Sequence, residues 1–115
     1  MLFNVAAHNR DDHTKNFAFL LDDTNGEWSL APAYDLTLSD GPGGEHSNTV
    51  LGEGRHPTLR HCLTLAERFG IRARESGPIV EAVDAAVRRW PEFADEAGRS
   101  KRTLPACGAK MSRLG

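Results

Sequence analysis

Cysteine is scarce in this chain. It has only Cys62 and Cys107, far apart and without a CxxC pairing, which rules out a disulfide framework and a thiolate zinc cage. Cys62 falls on the apolar side of a helical pattern, as a buried free thiol does, and the cytoplasm is the compartment expected for free thiols. An excess of one charge is missing too. Fourteen Lys and Arg stand against 16 Asp and Glu, a net −2 with His neutral, so the chain carries no general electrostatic footprint for nucleic acid or an acidic membrane. The basic residues that gather late (Arg99, Lys101, Arg102, Lys110 and Arg113) are expected to be solvated. No apolar run approaches the roughly 18 residues that announce a membrane span, and no basic-then-apolar leader opens the chain. Gly-Lys-Ser/Thr and Gly-x-Ser-x-Gly are both absent, which removes a P-loop and a hydrolase nucleophile elbow. There is no internal repeat and no low-complexity tract.

What remains is enough for one small domain of 115 residues. Residues 1–8 read as the last turns of a helix, because Leu2-Phe3-Asn4-Val5-Ala6-Ala7 is apolar and opens without a capping residue. Met1 is therefore expected to be an internal residue of a longer ancestral frame. Residues 9–16 read as a polar loop. Phe17–Leu21 and Trp28–Ala31 have strand length and flank Asn25-Gly26, the dipeptide best suited to a tight hairpin turn. Pro32 ends the second strand. Residues 39–57 contain Gly41, Gly43, Gly44, Gly52 and Gly54, five of the eleven glycines, and read as a long loop, of the kind that is functional or mobile, with a flexible surface loop as the plainer reading. His46, His56 and His61 are expected to be loop or surface histidines. Thr58 caps a helix whose apolar face is Leu59, Cys62, Leu63, Ala66 and Phe69, stopped by Gly70. A second helix is predicted from Gly77-Pro78, with Ile79, Val83, Ala86, Val87 and Trp90 on one face and a break or kink at Pro91. One more turn is expected over 92–97. The expectation is a domain over 1–98 and a basic, flexible tail over 99–115.

The stretch hardest to explain as scaffold is His8-Asn9-Arg10-Asp11-Asp12-His13-Thr14-Lys15-Asn16. It packs two carboxylates, two imidazoles, two amides, an Arg and a Lys between apolar flanks. Phosphoryl transfer needs a carboxylate to orient or deprotonate the attacking hydroxyl, and oxygen ligands for Mg²⁺. Protein kinases supply these from H-R-D-L-x-x-x-N and, beyond a β-hairpin, D-F-G. Asp11 and Asn16 reproduce the Asp-to-Asn spacing and Arg10 precedes the Asp, while Asn9 replaces the His. Tyr34-Asp35-Leu36 stands where D-F-G would stand, and the hairpin is expected to return Asp35 to Asn16. The spacing selects Asp11 over Asp12 as the base and leaves Asp12 solvent-exposed or beside the metal. Lys15 is placed to reach the transferred phosphate. A zinc site from His8, Asp11 and His13 is the weaker alternative, since it lacks a second ligand pair.

Asp12-His13-Thr14-Lys15-Asn16-Phe17, followed by Leu30-Ala31-Pro32-Ala33-Tyr34-Asp35-Leu36, closely resembles the HipA-family serine/threonine kinases, the toxin components of bacterial toxin–antitoxin pairs. Gly52–Thr58 and Leu65–Gly70 resemble the family's C-terminal region, and the likeness runs from about residue 2 to about residue 95. The resemblance implies an α+β, mainly helical fold: the C-terminal lobe of a protein-kinase or phosphatidylinositol-kinase-like structure, with the metal site carried by a β-hairpin. It implies Asp11 as catalytic base, Asn16 and Asp35 as Mg²⁺ and nucleotide ligands, Lys15 assisting phosphate charge and His13 bracing the loop. ATP would be the phosphoryl donor. The partners implied are a protein substrate such as a translation component and a helix-turn-helix antitoxin, with DNA reached only through that antitoxin and no membrane. A phosphate-clamping loop and a strand Lys paired with a helix Glu are not among the 115 residues. The chain by itself is therefore expected to be a truncated, weakly active or inactive portion. A non-catalytic, pseudokinase-like interaction module is the alternative. Apolar surface is expected near Leu2, Phe3 and Val5.

Overall fold

The computed structural model describes residues 1–98 and 104–111. Its elements are a short helix α1 (Leu2–Ala6), strands β1 (Phe19–Leu21) and β2 (Trp28–Leu30), and helices α2 (Leu59–Arg68), α3 (Ala73–Arg88), α4 (Trp90–Glu96) and α5 (Leu104–Lys110). The class is α+β with one antiparallel hairpin, in the register Phe19↔Leu30, Leu20↔Ser29 and Leu21↔Trp28. No helix among the described residues is long and apolar enough to cross a membrane.

Helix α2 forms where its cap predicts. Thr58 accepts from the His61 backbone N–H, while the His61 ring accepts from the Thr58 N–H, so two of the helix's orphan donors are satisfied. Its apolar face is narrower than expected, however. Cys62 is buried, but Phe69 is 78% exposed because it lies past the last turn, at the C-cap. Helix α3 begins at Ala73, a turn before the predicted Gly77-Pro78 start. Glu75 accepts from the Arg72 N–H at 3.0 Å, and this local bond outweighs the N1 preference of Pro78, which sits inside the helix. Pro91 lies in the first turn of α4, where its missing N–H costs nothing. Within the stretch expected to be a basic, flexible tail, Leu104–Lys110 form helix α5 and pack on α4. Residues 99–103 and 112–115 of that tail lie outside the described residues.

The hairpin loop also departs from the two-residue turn that Asn-Gly suggests. Gly26 takes φ +72° but Asn25 is not left-handed, so the primed turn does not form. Asp22 instead accepts from the backbone and hydroxyl of Thr24, Asn25 accepts from the Glu27 N–H, and Asp22 N–H closes a wider loop on the Glu27 carbonyl.

Val5, Val50 and Cys62 form the buried cluster, with Leu2 and Leu65 packed on it. Helix α1 packs on α3 and α2 on α3. Val5 is therefore inside, not on the apolar surface expected at the N-terminus. Apart from scattered exposed residues such as Phe69, Ile79 and Phe93, exposed apolar side chains gather on the hairpin, where Phe19 is 64% and Trp28 67% exposed and Leu20, Leu21 and Leu30 are exposed too.

Candidate functional site

The polar stretch is held as a loop by three sets of bonds. At its start, His8 adopts φ +55° and reverses the chain after α1. The His8 carbonyl then accepts from Ser39 N–H at 3.0 Å, and the Ser39 carbonyl accepts from Arg10 N–H at 3.1 Å. At its end, a single 3₁₀ turn over Thr14–Asn16 leads into the hairpin. Across its middle, Asn16 Nδ2 donates to the Asp11 carbonyl at 2.8 Å, so the two residues chosen by spacing are joined by a direct bond.

Asp35 is returned by the hairpin, as the sequence predicts. The ladder continues past the strands through Ala31 N–H to the Ala18 carbonyl at 2.9 Å. Next to Asp35, the Tyr34 hydroxyl donates to the Lys15 carbonyl at 2.6 Å. Asn16 and Asp35 line the same cavity of about 350 Å³, whose wall also includes Asn4, Asn9, Phe17 and Tyr34. Asp35 itself has φ +53°, a left-handed conformation that Asp tolerates better than most residues and that recurs at strained functional positions.

The donor set fits a hard cation in part. With its amide nitrogen committed to Asp11, Asn16 offers Oδ1, and Asp35 offers an exposed carboxylate. Two such oxygens suit a Mg²⁺ that keeps water and phosphate oxygens as its other ligands. Among the described residues no group of three or more His, Cys, Asp or Glu side chains could hold a metal on its own.

The remaining predicted site residues lie around this cavity rather than on it. Asp11 is partly exposed, and its Oδ1 stands 4.0 Å from His13 Nε2, too far for a hydrogen bond but close enough for charge attraction when His13 is protonated. The Lys15 side chain is exposed, beside the Tyr34–Lys15 link.

Asp12 corrects the expectation. It is not solvent-exposed and does not line the cavity with Asn16 and Asp35: it is 3% exposed, slightly more buried than His46 at 5%. Asp12 Oδ2 lies 3.1 Å from His46 Nδ1, and Oδ1 accepts the Asn48 N–H at 3.1 Å. His46 is thus a loop histidine that is buried, not one at the surface. Nor is the glycine-rich stretch a free loop, since Arg10 donates to the Gly44 and Arg55 carbonyls at 2.7 and 2.8 Å. Gly41 makes room for Arg10: at φ +71°, an added Cβ would overlap the Glu45 carbonyl oxygen and lie 2.7 Å from Arg10 Cβ. The signal for these contacts was present only as residue types, with His46 and Asn48 more than thirty positions from their partner.

No curated protein and no solved structure matches the chain. A family model of the HipA-like C-terminal domain matches residues 1–90, a span that includes the polar loop, the hairpin, Asp35, α2 and α3. The chain belongs to the family of HipA-like C-terminal domains.

Proposed function

We propose that this chain carries the phosphoryl-transfer loop of a HipA-like serine/threonine protein kinase. The observation that carries the reading is the convergence of Asn16 and Asp35, nineteen positions apart in sequence, on one cavity, with Asp11 bonded to Asn16. In this reading Asn16 Oδ1 and the Asp35 carboxylate hold Mg²⁺, which when bound supplies charge neutralisation on the ATP phosphates. Asp11 orients the attacking protein hydroxyl and accepts its proton. Lys15 draws on its exposed charge to balance the transferred phosphoryl group, and His13 faces Asp11 as a brace. The protein substrate, the antitoxin partner and a cytoplasmic setting belong to the same proposal. The residues contain no phosphate-clamping loop, and positioning supplies most of this catalysis. The 115-residue chain alone is therefore a weak nucleotide binder and a poor kinase.

Calorimetric titration with ATP in the presence and absence of Mg²⁺ tests the reading. Weak, Mg²⁺-dependent binding is expected, with Asp35→Asn reducing it by about tenfold or more, the loss of one charge-assisted contact. Asp11→Asn is expected to leave binding near that of the wild type while abolishing any transfer to a protein acceptor. Binding that ignores Mg²⁺, or is indifferent to Asp35→Asn, rejects the reading.

One observation favours the second reading, an interaction module without catalysis: the hairpin's apolar side chains stand exposed, and exposed apolar patches commonly mark protein-binding surfaces. Under that reading a protein partner binds Asp35→Asn and the wild type equally.

A further inference from the structure

Both neighbours of Asp11 are fastened to the same distant segment. On one side, the Arg10 carbonyl accepts from Ser47 N–H at 3.0 Å and from Ser47 Oγ at 3.2 Å, and the Arg10 guanidinium reaches the carbonyls of Gly44 and Arg55. On the other side, the Asp12 carbonyl accepts from Asn48 Nδ2 at 2.5 Å. Its two carboxylate oxygens are taken by the Asn48 N–H and by His46. His46 is anchored in turn by its own N–H on the Gly54 carbonyl at 2.8 Å. Asp11 lies between these two fixed points with its side chain partly exposed.

A buried carboxylate with no donors is costly, so its partners hold it in one place. Here those partners also hold the peptide groups on either side of Asp11. We infer that Asp12, with Asn48 and His46 behind it, is the positioning residue of the loop that carries Asp11 and Asn16. It takes no part in binding the cation, because both of its oxygens are already engaged and water is excluded from it. Segment 44–55 then acts as a splint that sets how Asp11 and Asn16 are presented together. The inference rests on the phosphoryl-transfer reading for its consequence, and on the geometry alone for the loop's conformation.

Three variants of the 115-residue chain test it: Asp12→Ala, Asp12→Asn and Asn48→Ala. Two quantities are measured in each, amide hydrogen exchange along the loop and Mg²⁺–ATP affinity by calorimetry. The Asn16 and Phe17 amides bond to the His13 and Thr14 carbonyls at 3.0 and 3.3 Å, so their exchange reports the 3₁₀ turn. Asp12→Ala and Asn48→Ala are expected to speed their exchange by about tenfold, one lost buried hydrogen bond. The amides of α2 should remain protected, and Mg²⁺–ATP affinity should fall about fivefold. Asp12→Asn keeps an oxygen for the Asn48 N–H and is expected to stay within roughly twofold of the wild type on both measures.

Unchanged loop exchange in Asp12→Ala overturns the inference. So does an Asp12→Asn variant that loses Mg²⁺–ATP affinity as severely as Asp12→Ala with normal exchange, the mark of a cation ligand. If Asp12→Ala also unprotects α2, the milder Asn48→Ala decides by the same criteria. If the wild-type chain binds no Mg²⁺–ATP, the phosphoryl-transfer reading falls, and the exchange comparison by itself decides whether Asp12 positions the loop.

Discussion

His8 shows how one residue serves two purposes. Its left-handed backbone turns the chain out of α1, and its ring stands 3.1 Å from Asp40, which also pairs with Lys110 of α5. Burial pushes the His8 pKa below its ordinary 6.5, and the nearby charges of Arg10 and Lys110 add to this against the opposing pull of Asp40. The folded protein therefore binds fewer protons at His8 than the unfolded chain does. Its contribution to stability is complete above pH 6.5 and is lost as pH falls below that value. Asp40 is held below its usual 3.8, first by Lys110 and then by His8, so its own titration belongs to a more acidic range. Thermal melts are expected to drop between pH 7.5 and 5.5, and His8→Asn, which keeps a residue tolerant of positive φ, should flatten that drop. An equal pH response in His8→Asn would show that other groups govern it.

At the scale of an element, the splint beneath the loop carries visible strain. Val50 and Glu53 exchange backbone hydrogen bonds at 2.8 and 3.0 Å around Leu51-Gly52. Both central residues have positive φ, +56° and +87°, as a primed turn requires, and Asn-Gly suits that turn best. A leucine in this position costs on the order of 1 kcal/mol or more. The neighbouring Val50 is fully buried in the core, which explains how the strain is held. Leu51→Asn is expected to raise stability by roughly 1 kcal/mol in denaturant unfolding. A loss of stability would mean that the Leu51 side chain contributes more through packing than its backbone costs.

Across the whole molecule, the buried cluster is small and much of the apolar surface is displayed on the hairpin. Both faces of a two-stranded sheet cannot be covered by a domain that packs its helices elsewhere, and an isolated hairpin is only marginally stable in water. The chain is expected to self-associate with rising concentration. The double variant Phe19→Ser/Trp28→Ser should weaken that association by about tenfold or more, the effect of removing two large apolar side chains. Sedimentation velocity over a concentration series measures it. Association unaffected by the double variant would place the sticky surface elsewhere.

The sequence by itself determined the local features: the Thr58 cap of α2, the two strands, and the Asp11-to-Asn16 spacing joined by one short-range bond. It also indicated the return of Asp35, because a hairpin's geometry follows from adjacent residues. Local chemistry misled where two nearby signals competed, as when Glu75 started α3 ahead of Pro78 and when Asp22 and Asn25 folded the loop through their side chains. Tertiary structure alone decided the roles of Asp12, His46 and Asn48. A buried carboxylate and a buried imidazole look like surface residues until the chain brings them together across 34 positions. No periodicity encodes that meeting, because the intervening glycine-rich segment has none. Its path is set by carbonyls that accept from Arg10 and by the Cβ-free space at Gly41, contacts that exist only once the chain has folded.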